Sequence, residues 1–367
     1  MVDRPAGERE WLVAADDRTG ALEVAAGLAA HLGPTVVAVR APADGSCVVD
    51  IGSRTTDAAT AGSRAVAIDA VASLVSAHKI DSTLRGHWAH EVTARCARSG
   101  RRLLVVAAWP EMGRTCIDGV VHVDGAAHDR LDRHLPGIEI VEPADVDEWL
   151  DGDVPMGAVD IADTDTLERV AADIARHRAF AEGRILLAAP AAPIAAVVGR
   201  TVPSASASAS DADAASAAAP SGQASGLCLS GPRPSAKVVG ATLVVSGSAT
   251  EVSASQLAAV ATERPDVEVF APRRTPGPPR SSVAREVVRR AQSRLAAGGV
   301  GAVVVVGGST AALLLGDSPR LVHGMAIPGL PWSTALTGDG PVVISKAGGF
   351  GRDDTLVAAL DVLDSWR

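Results

Sequence analysis

Short runs of Val, Leu, Ile and Ala alternate along this chain with longer stretches of helical periodicity. The first run is WLVAADD at 11–17, the stretch behind it is TGALEVAAGLAAHLG, and RRLLVVAAW at 101–109 is a further run. Strands that are apolar throughout belong to parallel sheets covered on both faces, and helices supply the crossovers between them. The alternation therefore predicts an α/β fold with mostly parallel sheets.

The alternation breaks after residue 200, where the composition changes abruptly. SASASASDADAASAAAPSG at 204–222 is rich in Ala, Ser and Asp and has no helical or strand period. Such a composition predicts a flexible linker, which we assign to 201–238. Because strands and helices resume beyond it, we expect two α/β domains, an N-terminal one at 1–200 and a C-terminal one at 239–367.

Within these domains the same patterns predict individual elements. In the N-terminal domain we expect strands at 35–40, 47–53 and 184–189 and helices at 57–76 and 164–178. In the C-terminal domain we expect strand-bearing segments at 241–248, 267–273, 302–310 and 341–351, and helices at 251–262, 281–297 and 353–364.

Composition excludes several classes of protein. The formal net charge of −9 argues against a nucleic-acid partner. The four cysteines stand far apart, which suggests neither a disulfide scaffold nor a zinc site. No apolar run reaches the length of a membrane span, and the N-terminus lacks a signal-peptide pattern. We therefore expect a reduced, cytoplasmic protein with neither a membrane nor a nucleic-acid partner.

Strands of the C-terminal domain run directly into loops of glycine and hydroxyl side chains, at 244–250, 305–311 and 345–351. In open α/β sheets ligands bind at such strand ends, where small residues let backbone N–H groups approach phosphates. None of these loops matches the P-loop or GxGxxG patterns, and a tight turn explains any one of them alone. Together they favour nucleotide binding. The candidate residues are Ser246, Gly247, Ser248, Gly307, Gly308, Ser309, Thr310, Gly348 and Gly349.

Strand ends of the N-terminal domain carry charged side chains instead. KIDSTLRG at 79–86 combines two cations, a carboxylate, two hydroxyls and a glycine, although the chain has only three lysines. These are the groups that an anionic, hydroxyl-bearing small molecule would need, and a solvated turn with a local Asp–Arg pair is the alternative. Arg54 ends another strand, and Arg114 lies among glycines at 109–125. The mixture suits a substrate with hydroxyls and a carboxylate.

Asp16 and Asp17 follow the first strand directly and precede a predicted helix. One of the two is expected to cap that helix. The other would grip a substrate hydroxyl or remove its proton.

Two further kinds of site find little support. His87, His90 and Glu91 share one helical face, which we interpret as helix surface because the sequence places no further metal ligand beside them. Hydrolysis by a Ser-His-Asp triad is disfavoured because the chain contains no GxSxG elbow.

Taken together, these segments resemble the four-carbon acid sugar kinases, which use ATP to phosphorylate threonate, erythronate and 3-oxo-tetronate-type acids. In the first half the resemblance is carried by ADDxTGA at 15–21, the strand end at 53–54, KIDSTLRG at 79–86 and PExGRTxxDGVxxVDG at 110–125. In the second half it is carried by SGSxxxxxxxQ at 246–256, GGxTA at 307–311, PGLP at 328–331 and KxGGFG at 346–351. Only the linker region stays outside the match.

The resemblance implies a substrate site and a nucleotide site that meet in an interdomain cleft. It implies that the N-terminal domain holds the sugar acid with Asp17, Arg54, Lys79, Asp81, Ser82, Arg85 and Gly86, to which we add Asp16, Thr83 and Arg114. It implies that the C-terminal domain holds ATP with Ser248, Gly307 to Thr310, Gly348 and Gly349. Mg²⁺ would bridge the phosphates. The expected partner is a small-molecule sugar acid, and a homodimer is among the oligomeric states left open.

We expect catalysis to depend on Asp17, Asp81 and Lys79. Asp17 is the first choice for orienting or deprotonating the acceptor hydroxyl, and Asp81 is the second. Lys79, together with Arg54 and Arg85, would hold the acid and screen developing charge.

Departures from the family pattern keep alternatives open. Arg18, His87, Trp109 and Met112 stand beside the expected substrate side, so a kinase acting on a different hydroxy acid in a specialised pathway is one alternative. Ser309 replaces a frequent acidic residue of the nucleotide loop, which leaves a non-catalytic nucleotide-binding homologue as another. A nicotinamide-dependent oxidoreductase is a third, although the missing GxGxxG fingerprint counts against it.

Overall fold

The computed structural model describes residues 11–70, 75–201, 233–235, 237–272 and 280–367. Nearly all of the linker predicted over 201–238 lies outside these residues. We refer to 11–201 as the N-terminal lobe and to 237–367 as the C-terminal lobe.

The N-terminal lobe is an eight-stranded parallel sheet with helices on both faces and a small antiparallel sheet at one side. Its strands are β1 (Trp11–Ala15), β2 (Thr35–Val39), β3 (Cys47–Asp50), β4 (Val75–Lys79), β5 (Arg102–Val105), β6 (Arg114–Ile117), β7 (Val120–Val123), β8 (Ala126–Arg130), β9 (Glu139–Val141), β10 (Met156–Val159) and β11 (Ile185–Ala189). Its helices are α1 (Arg18–Leu32), α2 (Ala58–Ala67), α3 (Trp88–Ser99), α4 (Leu131–His134), α5 (Val146–Asp151), α6 (Thr164–Arg176), α7 (Arg178–Ala181) and α8 (Ala191–Thr201). The strand order is β2-β3-β1-β4-β11-β5-β10-β9, and β6, β7 and β8 form the small sheet.

The C-terminal lobe repeats the architecture on a smaller scale. Its strands are β12 (Ala241–Ser246), β13 (Glu268–Phe270), β14 (Val300–Val306), β15 (Arg320–Ile327), β16 (Leu330–Ala335) and β17 (Val342–Lys346). Its helices are α9 (Glu251–Glu263), α10 (Arg280–Ala296), α11 (Gly308–Leu315) and α12 (Thr355–Asp364). Strands β13-β12-β14-β17 are parallel, and the hairpin β15–β16, which the sequence patterns did not predict, pairs antiparallel with β17.

The predicted α/β class with mostly parallel sheets is confirmed, but the sheets of the two lobes are joined. Strand β15 pairs antiparallel with β2, so the main sheets of both lobes form one 14-stranded sheet, from which β6, β7 and β8 stay separate. Helix α1 contacts β15 and β16 as well as its own lobe. The lobes are therefore connected through a shared sheet and a shared helix.

The helix predicted over 57–76 is confirmed for Ala58–Ala67 as α2 but is wrong at its end, where residues 75 and 76 belong to strand β4. Residues 71–74 of this prediction lie outside the described part of the chain. Lys79 is the last residue of that strand rather than a residue following a helix. The strand was hard to recognise because Ser76 and His78 break its apolar run, and they are tolerated there only because Arg95 and Glu91 of α3 bind them.

The three antiparallel pairings β2–β15, β15–β16 and β16–β17 reverse the direction of the parallel strands between the two lobes. Within each lobe the parallel strands run one way, so their carboxyl ends lie together at one edge of that lobe's part of the sheet. In the N-terminal lobe β1, β3 and β4 end there at Ala15, Asp50 and Lys79, and in the C-terminal lobe β12, β14 and β17 end at the glycine-containing loops. No helix among the described residues is both long enough and apolar enough to cross a bilayer.

Candidate active site

Arg54 is the centre of a cluster of charged side chains at the carboxyl ends of β1 and β4. Its Nε and Nη2 atoms donate to Asp16, with an Nη2–Oδ1 distance of 2.7 Å, and its Nη1 donates to Asp81 Oδ2 at 3.2 Å. Burial by itself would lower the pKa of Arg54, but the bonds to Asp16 and the charges of Asp17 and Asp81 outweigh it and raise that pKa. Arg54 is therefore a permanent cation that links the two strand ends.

Asp81 organises the KIDSTLRG loop. Its Oδ1 accepts from Thr83 N at 3.0 Å and Arg85 Nε at 3.0 Å, and its Oδ2 accepts from Arg85 Nη2 at 2.7 Å. Although burial tends to raise the pKa of Asp81, these donors and Arg54 hold it well below its usual range. The local Asp–Arg pair thus exists, but Asp81 is buried, while the side chain of Arg85 is 70% exposed.

Gly86 closes this loop directly over the Arg54 cluster. Its φ is +89°, and a Cβ there would lie 3.0 Å from Asp16 Oδ2 and 3.2 Å from Arg54 Cδ. Only glycine fits both this backbone conformation and this space. Ser82 is half-buried on the same loop.

Lys79 lies behind the cluster and is 5% exposed. Its Nζ donates to Ile80 O at 2.9 Å and lies 3.7 Å from Glu23 Oε2. Burial raises the pKa of Glu23, with Lys79 opposing the shift. The sequence interpretation missed Glu23, although it is the only carboxylate on α1 and this was the available signal.

The two adjacent aspartates have different environments. Asp17 caps α1, because its Oδ1 accepts from Gly20 N at 2.8 Å and its Oδ2 accepts from Thr19 Oγ1 at 3.0 Å. Its side chain remains 22% exposed. Asp16 is 1% exposed and is occupied by Arg54. The prediction that one of the two aspartates caps the helix is confirmed for Asp17. The other one, Asp16, is the buried one, so the capping residue is also the exposed one.

The three glycine-containing loops of the C-terminal lobe meet at one point. Gly247 N donates to Thr310 Oγ1 at 3.0 Å, and Gly307 N donates to Lys346 O at 2.8 Å. A Cβ on Gly348 would lie 2.6 Å from Ser248 Oγ, so these backbones are too close for larger residues. The structure therefore brings together the loop residues that the sequence indicated.

The individual loop residues are exposed to different degrees. Ser309 is exposed in the first turn of α11, whereas Thr310 is buried and its Oγ1 accepts a hydrogen bond from Gly247 N. Ser246 is buried at the end of β12, and its Oγ has no hydrogen-bond partner within the described part of the chain.

The carbonyl of Gly348 is held inward by hydroxyl and ammonium donors. It accepts from Ser253 Oγ at 2.6 Å, Thr250 Oγ1 at 2.8 Å and Lys346 Nζ at 3.5 Å. In a trans peptide the C=O and N–H point in opposite directions, so the Gly349 N–H points away from these donors. Sequence reasoning missed Thr250 and Ser253, although a Thr-x-x-Ser at the start of a helix is a capping pattern.

The two lobes touch where α11 begins. A Cβ on Gly308, the first residue of α11, would lie 2.7 Å from Asp17 Oδ2 and 3.1 Å from Thr19 Oγ1. The nucleotide-loop candidate of one lobe is thus in direct contact with the predicted base of the other.

Arg114 stays apart from the Arg54 cluster in its described contacts. It donates to Met112 O and lies 3.7 Å from Asp124 Oδ1. Asp118 and Asp124 have positive φ and precede glycines in the tight turns of β6–β7–β8, a structural role for this residue type. The small sheet nevertheless approaches the KIDSTLRG loop, because His128 Nε2 lies 3.2 Å from Thr83 O.

The interpretation of His87, His90 and Glu91 as helix surface is wrong for Glu91. Glu91 is fully buried and its Oε2 lies 2.9 Å from His78 Nε2 on β4. Its pKa would be raised by burial, but the bond to His78 outweighs this and lowers it. His87 precedes α3 and bonds Thr56 O at 2.7 Å, and His90 is exposed.

Arg18, expected on the substrate side, is buried and bound to other groups of the protein. It is 2% exposed and donates to Asp50 Oδ2 at 2.7 Å and to Gly316 O of the C-terminal lobe at 2.8 Å.

The fold and site define an α/β protein whose cation- and carboxylate-lined lobe faces a lobe of glycine loops. Residues 11–139 match the family described as the sugar-binding N-terminal domain, and the predicted resemblance to four-carbon acid sugar kinases is confirmed.

Comparisons with individual proteins agree with this assignment. The chain is 35% identical over 128 residues to a D-threonate kinase of Cupriavidus necator, a match that spans 31% of this chain and 30% of that relative. A DUF1537 protein of Haemophilus influenzae has a similar structure, with a TM-score of 0.64 at 16% identity over 96% of this chain and all of the other. A protein of Salmonella typhimurium LT2 has a similar structure with a TM-score of 0.70, at 15% identity over 95% of this chain and 98% of the other. The structural likenesses extend the shared fold to both lobes.

Proposed function

We propose that this protein is an ATP-dependent kinase that phosphorylates a hydroxyl of a short, about four-carbon sugar acid. The observation that carries the proposal is the contact between Asp17 of the sugar-binding lobe and Gly308 at the start of α11. Phosphoryl transfer requires the acceptor hydroxyl and the phosphate to be brought into line, and this contact joins the two candidate sites. The partial match to a D-threonate kinase supports the same reaction class.

The N-terminal lobe offers the acid a cationic site with one accessible arginine. Arg54 and Lys79 are committed to Asp16, Asp81 and Ile80 O. Arg85 also bonds Asp81 through Nε and Nη2, but its side chain is 70% exposed, which leaves the Nη1–Nη2 edge of its guanidinium for a ligand. A planar guanidinium matches a carboxylate in a bidentate fashion. We therefore assign the substrate carboxylate to Arg85 and the background positive potential to Arg54 and Lys79.

Asp17 is the better candidate for the residue that orients or deprotonates the hydroxyl. Asp81 accepts bonds from Arg54, Thr83 and Arg85, and its lowered pKa makes it a weak base. Asp17 is more exposed and lies at the contact with α11.

The glycine loops suit the phosphates of ATP. Gly308 and Ser309 contribute N–H groups at a helix start, and Gly349 contributes one on the far side of the Gly348 carbonyl. Bound Mg²⁺ would neutralise charge on the transferred phosphate. Mg²⁺ normally takes most of its ligands from phosphates and water.

The proposal is tested by ADP release from the purified protein with ATP, Mg²⁺ and a panel of C3–C6 sugar acids that includes D-threonate and erythronate. We expect turnover with at least one four-carbon acid and none with the corresponding sugar alcohol, which lacks the carboxylate. ATP binding without turnover on any acid would instead support a non-catalytic nucleotide-binding homologue. Hydride transfer to a nicotinamide would support an oxidoreductase.

A further inference from the structure

Arg18 is the neighbour of Asp17 in the chain and connects the two lobes. Its Nε donates to Asp50 Oδ2 at 2.7 Å within the N-terminal lobe, and its Nη2 donates to Gly316 O of the C-terminal lobe at 2.8 Å. Asp50 is 4% exposed and also accepts from Gly52 N at 2.9 Å. Because its donors go to both lobes, this buried guanidinium connects the N-terminal lobe to the C-terminal lobe.

The Gly316 carbonyl is the carboxyl end of α11. Gly316 is the C-cap of that helix, where unpaired carbonyls carry partial negative charge and favour a cation. The amino end of the same helix, Gly308, lies against Asp17 and Thr19. Both ends of α11 are therefore held by consecutive residues, 17–19, at the start of α1.

We propose that Arg18 is a positioning residue, which sets α11 and the glycine loop before it against Asp17. Its kinetic consequences rest on the proposed kinase function. Helix α11 is short and moves as a rigid unit. A shift of its amino end, which would bind phosphate, away from Asp17 therefore also strains the bond between its carboxyl end and Arg18. Since transfer depends on alignment, a misplacement of about 1 Å can cost about a hundredfold in rate.

Two variants distinguish a positioning role of Arg18 from a general contribution to folding stability. Arg18→Lys keeps a cation beside Asp50 but lacks the second nitrogen that reaches Gly316 O. Arg18→Leu combined with Asp50→Asn removes the whole link without leaving a buried charge unpaired.

A matched control is provided by Arg95→Lys. Arg95 is also fully buried, and it also divides its donors between an aspartate, Asp69, and a backbone carbonyl, Ala77 O, at 2.8 Å for both. All of these partners belong to the N-terminal lobe.

The first readout is amide hydrogen exchange of 308–316 in the full chain with no ligand added. We expect both Arg18 variants to exchange about tenfold to a hundredfold faster there, the effect of losing one hydrogen bond from a charged donor, and Arg95→Lys to leave this segment unchanged. Unchanged exchange in folded Arg18 variants, or equal acceleration in the control, would overturn the proposal.

The second readout is the split between kcat and KM for whichever acid the panel identifies. We expect both Arg18 variants to lower kcat at least about tenfold, with the KM for the acid little changed, because the acid-binding cations are untouched. Normal kcat in both variants would overturn the positioning role. If the unmodified protein phosphorylates no acid, the kinase proposal fails, while the exchange experiment still decides the role of Arg18.

Discussion

Asp16 and Asp17 illustrate how neighbouring identical residues acquire different chemistry. Asp16 faces inward, where Arg54 takes both of its oxygens, and Asp17 faces the start of α1 and the opposite lobe. Each carboxylate oxygen of both aspartates accepts a hydrogen bond, so what distinguishes the two residues is exposure, 1% against 22%. Of the two, only Asp17 is accessible to solvent.

Asp17→Asn should lower turnover by at least about a hundredfold, since an amide cannot accept the proton. Asparagine caps helices about as well as aspartate, so we expect nearly unchanged thermal stability and ATP binding. ADP release and a thermal melt measure the two effects.

The control for this change is Asp163→Asn. Asp163 caps α6 in the same way, through Thr166 N at 2.7 Å, and is exposed. It should leave turnover unchanged. Near-normal turnover of Asp17→Asn would remove Asp17 from the catalytic role.

Lys346 is a fully buried cation whose bonds go to backbone carbonyls, Ala347 O at 2.8 Å and Gly348 O at 3.5 Å. Burial lowers its pKa from 10.5 to about 8. The unfolded chain therefore binds more protons than the folded one between these values, and stability from this group rises with pH across that window.

Lys346→Met abolishes this linkage. We expect the difference in unfolding free energy between the unmodified protein and this variant to increase by about 3 kcal/mol at most from pH 7 to pH 10.5. This size follows because a tenfold difference in proton affinity between the folded and unfolded chains is worth about 1.4 kcal/mol. Urea titrations of both proteins at several pH values measure the difference, in which other titrations cancel. A difference independent of pH would contradict the lowered pKa.

At the scale of elements, α11 can approach Asp17 closely because its first residue, Gly308, has no side chain, and this brings the two candidate sites together. Gly308→Ala should push the helix start away from Asp17 by several tenths of an ångström, because a Cβ would lie 2.7 Å from that carboxylate. We expect kcat to fall at least about tenfold through misalignment. Steady-state kinetics and a thermal melt test this.

Gly62→Ala in α2 is the matched control. Its Cβ would meet Ala94 Cβ at 3.5 Å, an ordinary contact, so the change should stabilise the helix by about 0.5–1 kcal/mol and leave kcat unchanged. If Gly308→Ala retained full kcat, the contact between α11 and Asp17 would not matter for turnover.

Sequence patterns assigned strand β4 wrongly, and the misassignment has a physical reason. Ser76 and His78 are polar but buried, and they are stable in a sheet because Arg95 and Glu91 approach from α3. A periodicity argument counts them as breaks in an apolar run. Element assignment from sequence works where burial and polarity agree, and here they disagree.

At the scale of the whole molecule, the joined sheet makes the lobes interdependent. Strand β15 pairs with β2, with Arg320 opposite Val37, and α1 contacts both lobes. Arg320 is 7% exposed at this junction, and burial together with the charge of Arg18 lowers its pKa to about 10.

We therefore expect the lobes to unfold together. Hydrogen exchange followed by mass spectrometry at increasing urea should give one midpoint for peptides from β1–β4 and β14–β17, because opening either lobe uncovers α1 and a strand edge. Separate midpoints would contradict this coupling and would weaken the case for Arg18 as a rigid link.

The sequence alone determined the α/β class, the strongly periodic strands and helices, the charged strand ends and the three glycine-containing loops. These follow from periodicity and residue size, which are local properties of the chain. The tertiary structure decided which aspartate is accessible, that the sheets join, and that Arg18 reaches a carbonyl 298 residues away. Such contacts depend on how the lobes dock, and no local pattern carries that information.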